Sequence, residues 1–197
     1  FSDNDIKQVP LYSLNGWSTV GNEFVNDLEY AFKMIFCDIS IEGREVKNWC
    51  QPLFEATGKA LFGLIYKVED EIVKFLVHIH PEVGCFDGAE VGPTVQREAI
   101  CPDKPDEIVQ FFYNKMKKKE NVEFDTMLSE EGGRFYHEEN RNVIIKIGKD
   151  ELTGVFPGYI WSDYATLNML VQVNNCLNIQ LRNLLSVFNM LGRSDGS

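Results

Sequence analysis

Six consecutive residues, Ser129-Glu130-Glu131-Gly132-Gly133-Arg134, set two adjacent carboxylates before a flexible glycine pair. A carboxylate desolvated by its surroundings keeps its proton to higher pH, so Glu130 or Glu131 can work as a general acid or base. The alternative is a solvated acidic turn. Further on, Asn140-Arg141-Asn142 places one arginine between two amides. Its guanidinium suits bidentate capture of a phosphate or, equally, pairing with a surface carboxylate. Gly92-Pro93-Thr94-Val95-Gln96 is a stiff turn that presents a hydroxyl and an amide, groups that bond a sugar or simply brace the turn. Trp49, Gln51 and Trp161 offer ring faces and an amide to a base or sugar ring, although tryptophan is more commonly core or interface.

His78 and His80 lie two apart on an apolar run, so on a strand they share a face, a spacing that suits two metal ligands. A cupin-type pair also needs a preceding glycine and a glutamate four or five residues later, and those later positions hold Gly84 and Cys85. Two half-exposed strand histidines near a site are therefore expected instead. No stretch carries the glutamate-rich REXXEE core of a Nudix hydrolase, which leaves magnesium-dependent pyrophosphate cleavage without support.

The elements that hold these residues must come from 197 residues, a length that builds one domain and not two full catalytic ones. Hydrophobic residues at 44% and charged residues at 25% fit a globular core and exclude disorder or a fibrous repeat. Nineteen lysines and arginines against 30 aspartates and glutamates leave a net charge of −11, which argues against nucleic acid or an anionic membrane as partner. A local basic site for one phosphate group remains compatible with it. The five cysteines are scattered and never in a CxxC pair, which suggests reduced thiols in a cytoplasm. No run reaches the roughly 18 apolar residues that span a bilayer, and Phe1-Ser2-Asp3-Asn4-Asp5 does not resemble a signal peptide.

Leu61–Val68 and Ile72–His80, joined by Glu69-Asp70-Glu71, form the clearest hairpin. Glu23–Phe36 is apolar in a mixed pattern that does not separate helix from strand. Ile108, Phe111, Phe112 and Met116 recur at helical spacing over 106–117, with lysines at the C-terminal end where the helix dipole favours them. Strands are predicted over 122–128 and 142–147 and a shorter one over 134–136. Ser162 is expected to cap a helix through Val171, and Asn178 another through Leu191, closed by Gly192. Strands first and helices last make the class α+β.

Taken in order, Gly16-Trp17, Trp49-Cys50-Gln51-Pro52, Gly63-Leu64, Phe75-Leu76 through Glu82 and Gly84, Pro93-Thr94-Val95-Gln96, Ser129-Glu130-Glu131-Gly132, Asn140-Arg141-Asn142, Trp161, and Asn178 through Arg182 to Leu185-Ser186 resemble the NDP-hexose 2,3-dehydratase family. The resemblance spans nearly the whole chain. It implies that residues 1–197 form a single module, a Nudix-like mixed β-sheet with flanking helices that lacks the Nudix hydrolase motif. Family members normally carry two such modules, so the resemblance implies either a stand-alone module that rebuilds the pair as a homodimer, the economical closure, or a fragment or relative with altered function. Two stretches depart from the family: His78-Ile79-His80 stands where a Gln-Ala-Lys run is typical, and Tyr136-His137-Glu138-Glu139 where a basic segment is typical.

The implied reaction is loss of water across C2 and C3 of an NDP-4-keto-6-deoxyhexose, with dTDP as the expected carrier, by acid–base elimination without metal or redox cofactor. That makes the protein a hydro-lyase of deoxysugar biosynthesis in the cytoplasm. The resemblance assigns proton transfer to Glu130 or Glu131 with His80 or Tyr136 as partner, and sugar contacts to Gln96 and Asn142. It gives the diphosphate to Arg141 and Arg182, and counts Trp49, Gln51, Glu82, Thr94 and Asn140 among the substrate-binding residues. The alternatives are a non-catalytic nucleotide-sugar-binding or assembly module, and a metal-dependent sugar isomerase built on His78 and His80.

Overall fold

A computed structural model of the chain describes residues 6–83, 85 and 88–192. After a short 3-10 turn (Leu11–Ser13), four strands form an antiparallel meander: β1 (Trp17–Val20), β2 (Glu23–Asn26), β3 (Phe32–Ser40) and β4 (Asn48–Ala56). The ambiguous stretch 23–36 thus resolves into β2 and the start of β3. Its apolar residues do not alternate cleanly because β3 is half-buried along both faces for its first four residues. Pro52 is tolerated in β4 because that strand pairs only with β3 in the sheet and so ends it.

The second sheet is built on the predicted hairpin, β5 (Leu61–Glu69) and β6 (Ile72–Pro81). Asp70 and Glu71, both at positive φ (51° and 63°), make the two-residue turn whose twist matches the strands. β9 (Val122–Ser129) and β10 (Glu139–Ile147) extend the sheet, β10 running parallel to β5, and β11 (Tyr159–Asp163) pairs with the outer side of β6. Two short strands, β7 (Ala89–Gly92) and β8 (Val95–Arg97), pair with the ends of β6 and β5. One parallel pairing among antiparallel ones makes the sheet mixed.

Helices cover both faces. α1 (Glu107–Lys118) is capped by Asp106, whose carboxylate accepts from Val109 N–H at 2.8 Å, and it buries Ile108, Val109 and Phe112 against Ile65, Leu76, Val143 and Ile145. Phe112 lies directly on Gly63, where an added Cβ would fall 2.3 Å from the ring, so only glycine lets α1 seat. On the opposite face α2 (Tyr164–Leu170) and α3 (Ile179–Leu191) pack Leu167, Leu181 and Leu184 on Phe62, Leu64, Phe75 and Ile144. Each such fully buried leucine contributes on the order of 2 kcal/mol. The α+β class holds, as a mixed sheet between helices.

Two local expectations need correction. Ser162 lies in the β11 ladder opposite Phe75, and the cap of α2 is Asp163, whose carboxylate accepts from Thr166 N–H at 2.8 Å; the helix ends at Leu170. Residues 134–136 do not form a strand of their own: Phe135 makes isolated bridges to Phe54 and Gly132. Asn178 caps α3 as expected, accepting from Leu181 N–H at 2.9 Å. Gly84 of the family-like stretches lies outside the described residues.

Candidate active site

The 129–138 segment leaves β9 and returns as β10, and backbone bonds tie it at both ends. Glu130 N–H donates to Glu138 C=O at 2.9 Å, Phe54 N–H to Arg134 C=O at 2.8 Å, and Tyr136 N–H to Phe54 C=O at 2.7 Å. Gln51 donates from Nε2 to Gly133 C=O at 2.7 Å while accepting from Trp49 Nε1 at 2.6 Å. Gln51, expected to touch a base or sugar, therefore stitches this segment to β4, with Trp49 bracing its amide. An edge-to-face ladder of Tyr30, Phe32 and Phe54 continues to Phe135 at a 6.3 Å centroid separation.

This clamped segment roofs a cavity of about 260 Å³ between the meander and the α3 face of the second sheet. Phe32, Phe62 and Phe135 supply apolar wall; Glu98, Glu130, Glu131, Arg134, Glu138, Asn140 and Gln180 supply the polar groups. Asn140, only 2% exposed, organises them. Its Nδ2 donates to Glu130 at 2.9 Å and Glu138 at 3.1 Å, and its Oδ1 accepts from Ala60 N–H at 3.0 Å. Burial, reinforced by the negative charges of Glu138, Glu130 and Glu82, pushes the Glu98 carboxyl above the ordinary carboxylate range. The cavity thus pairs carboxylates that accept from one amide with another whose surroundings favour the protonated form. That is an arrangement for moving protons.

The other expected residues divide. Glu131 faces the cavity but pairs with Arg134 at 3.2 Å. Tyr136 lies on the outer side of the roof, in a separate cleft with Glu130, His137 and Glu138. His80 packs under Gly92, where a Cβ would meet its ring at 2.7 Å, and hydrogen-bonds His78 across 3.0 Å. Burial first, then the neighbouring His78, lowers His80 to about 4, and burial lowers His78, which stacks on Tyr159. These imidazoles are neutral partners of each other, outside the cavity lining. Gln96 accepts from Asn178 Nδ2 at 2.7 Å. Thr94, 1% exposed, bridges the hairpin core by accepting from Ile65 N–H at 2.8 Å and donating to Leu76 C=O. Asn142, also buried, donates to Asn140 C=O at 2.9 Å.

Glu82 is held above its ordinary range by burial and by Glu90. Arg141 points to the opposite face of β10 from Asn140 and Asn142 and makes a two-pronged pair with Asp125, both contacts at 2.7 Å. Arg182 donates weakly to Asn178 C=O at 3.4 Å on an outer face of α3. Trp161 carries Lys67 Nζ over its ring at 4.5 Å. Sequence reasoning missed Glu98 and gave Glu138 no place in the site. The signal for Glu98 was the period of two in Thr94, Gln96 and Glu98, which continues one face past the strand.

The family model described as NDP-hexose 2,3-dehydratase matches residues 2–188, and the chain belongs to that family. It is 32% identical over 186 residues to the dTDP-4-dehydro-6-deoxy-alpha-D-glucopyranose 2,3-dehydratase of Streptomyces violaceoruber, covering 93% of this chain and 42% of the relative. To the enzyme of the same name from Saccharopolyspora spinosa it is 30% identical over 187 residues, covering 93% and 38%. The chain thus spans roughly two fifths of the length of these curated relatives. Among solved structures it is similar to an ADP compounds hydrolase, with a TM-score of 0.48 and 13% identity over 92% of this chain and 94% of that one. It is also similar to the Ap4A hydrolase of C. elegans, with a TM-score of 0.41 and 11% identity over 70% and 98%.

Proposed function

We propose that this single module dehydrates an NDP-4-keto-6-deoxyhexose across C2 and C3, with the sugar in the cavity beneath residues 129–138. Asn140 carries the assignment: one buried amide holds Glu130 and Glu138 against a cavity wall that Glu98 shares. The 4-ketone acidifies C3–H. Glu130 takes that proton, and the electron pair moves into the C3–C4 enolate, whose oxygen Arg134 faces from the cavity wall. The enolate collapses, expelling the C2 hydroxyl, which leaves as water with the proton held on Glu98. The resulting C3 enol tautomerises to the 3,4-diketo sugar. Every proton and electron pair is accounted for within substrate and side chains.

The relatives' names support a dTDP-linked 4-dehydro-6-deoxy sugar as substrate. A homodimer, the commonest closed assembly, and a cytoplasmic setting, which suits the five free thiols, complete the proposal. Among the described residues no helix is long and apolar enough to cross a membrane. The test is turnover of dTDP-4-keto-6-deoxyglucose by Glu130→Gln and Glu98→Gln, followed by product mass. Full activity in both variants overturns the assignment, and binding without turnover by the unmodified chain selects the non-catalytic module instead.

A further inference from the structure

On the other side of the same sheet lies a second cleft, of about 610 Å³, a size that accommodates a nucleotide. Its lining inverts the character of the chain. Lys59, Arg97, Lys117 and Arg141 contribute four cations and Glu98 the single carboxylate, in a protein whose net charge is −11. The register explains the clustering. Leu61 on β5 pairs with Arg141 on one side and Arg97 on the other, so the two arginines flank one residue on the α1 face. Two strand spacings put their Cα atoms about 10 Å apart, a gap that two long side chains can close around one diphosphate.

The cations differ in how they are neutralised. Arg141 is tied to Asp125 and Lys59 to Glu139 at 2.9 Å. Among the described residues, Arg97 donates to the backbone carbonyl of Asp103 at 2.5 Å and, like Lys117, has no carboxylate within ion-pair distance. Positive charge therefore goes uncompensated in the cleft. Tyr113, together with Met116 and Met127, adds an aromatic and thioether wall that suits a nucleobase. Glu98 borders both this cleft and the carboxylate cavity.

We propose that the α1-face cleft is the nucleoside-diphosphate site of this module, with the diphosphate on Arg97, Lys117, Lys59 and Arg141 and the base against Tyr113. The sugar then extends past Glu98 towards Glu130. This placement rests on the nucleotide-sugar reading above, yet the two fail differently. It also separates the diphosphate from Arg182, which lies on the α3 side.

Calorimetric titration with inorganic pyrophosphate and with dTDP tests it on the full chain and on two charge-matched variants, Lys117→Glu and Lys118→Glu. Both lysines are exposed on α1, so neither change threatens folding, and thermal melts verify that. Lys117→Glu is expected to weaken both ligands by about tenfold, the size of one charge-assisted contact, while Lys118→Glu stays within about twofold and dTDP binds more tightly than pyrophosphate. If dTDP binds all three proteins equally, or if both variants weaken it alike, the placement is overturned and the nucleotide-sugar reading stands. If the unmodified chain binds no dTDP, both are overturned.

Discussion

Two faces of one sheet end carry opposite chemistry. On the α3 side, Asn140 and Asn142 project from β10 beside Gln96 from β8, and their polar groups hold one another: Asn142 to Asn140, Asn140 to Glu130 and Glu138, Asn178 to Gln96. On the α1 side, the intervening residues Arg141 and Arg97 project from the same two strands into a basic cleft with charge to spare. A period of two separates them, so neighbouring residues face opposite sides of the sheet, and in the proposed placement they serve different halves of the ligand. The lesson is that a strand motif such as Asn-Arg-Asn serves two faces at once: Asn140 orders carboxylates by hydrogen bonds in a buried cavity, and Arg141 meets the Asp125 carboxylate where solvent still reaches.

If the division is real, damage to one face should leave the other working. Glu130→Gln should reduce turnover by roughly 10²- to 10⁴-fold, the usual weight of a positioned base, while dTDP affinity stays within a few-fold. Loss of dTDP binding in that variant would break the division. Asn140→Ala should cost about 1–3 kcal/mol in urea unfolding, since it orphans the Ala60 N–H in a buried place. It should also lower turnover, because Glu130 and Glu138 lose their shared donor.

An acid-sensitive pair sits on the α1 face of β6, where His78 stacks on Tyr159 and hydrogen-bonds His80. His80 is lowered to about 4 by burial and by His78, against about 6.5 in the unfolded chain. The unfolded state therefore binds protons first, so stability is complete above about pH 6.5 and falls as pH drops towards 4. At pH 5.5 the loss is on the order of 1 kcal/mol, readable as a lower melting temperature. His80→Gln should flatten that slope; an unchanged slope would assign the acid sensitivity to other groups.

Much of the scaffold was legible in the sequence. The β5–β6 hairpin, α1 and the cap of α3 follow from runs, helical spacing and an Asn ahead of an apolar stretch, all local signals. The meander was not, because β3 and β4 bury their residues only partly and against a roof that comes from 82 residues later, as the Gln51–Gly133 bond shows. In the site, Glu130 was visible as a carboxylate beside glycines. Asn140's control over it was not, because that contact depends on the β9–β10 register, and Glu98 gains its raised proton affinity only from groups that tertiary structure brings near. Thr94 illustrates the reverse: a hydroxyl suited to a sugar is also suited to two backbone groups in a core.

The smallest expected effect sharpens the comparison most finely. Asp125 holds Arg141 through a two-pronged pair on the partly exposed α1 face, and Arg141 in turn keeps the Asp125 carboxyl below its usual range. Exposed pairs of this kind stabilise by less than about 1 kcal/mol, so Asp125→Asn should barely move the urea midpoint. An anion entering the cleft competes with that carboxylate for the same guanidinium. Removing the charge should therefore tighten pyrophosphate by a few-fold, the opposite direction from Lys117→Glu, with a steeper salt dependence because more cationic charge is free. Weaker binding in Asp125→Asn would mean that the carboxylate aims Arg141 at the anion instead of competing with it, and the α1 face would then resemble the α3 face, where hydrogen-bonded neighbours set the geometry.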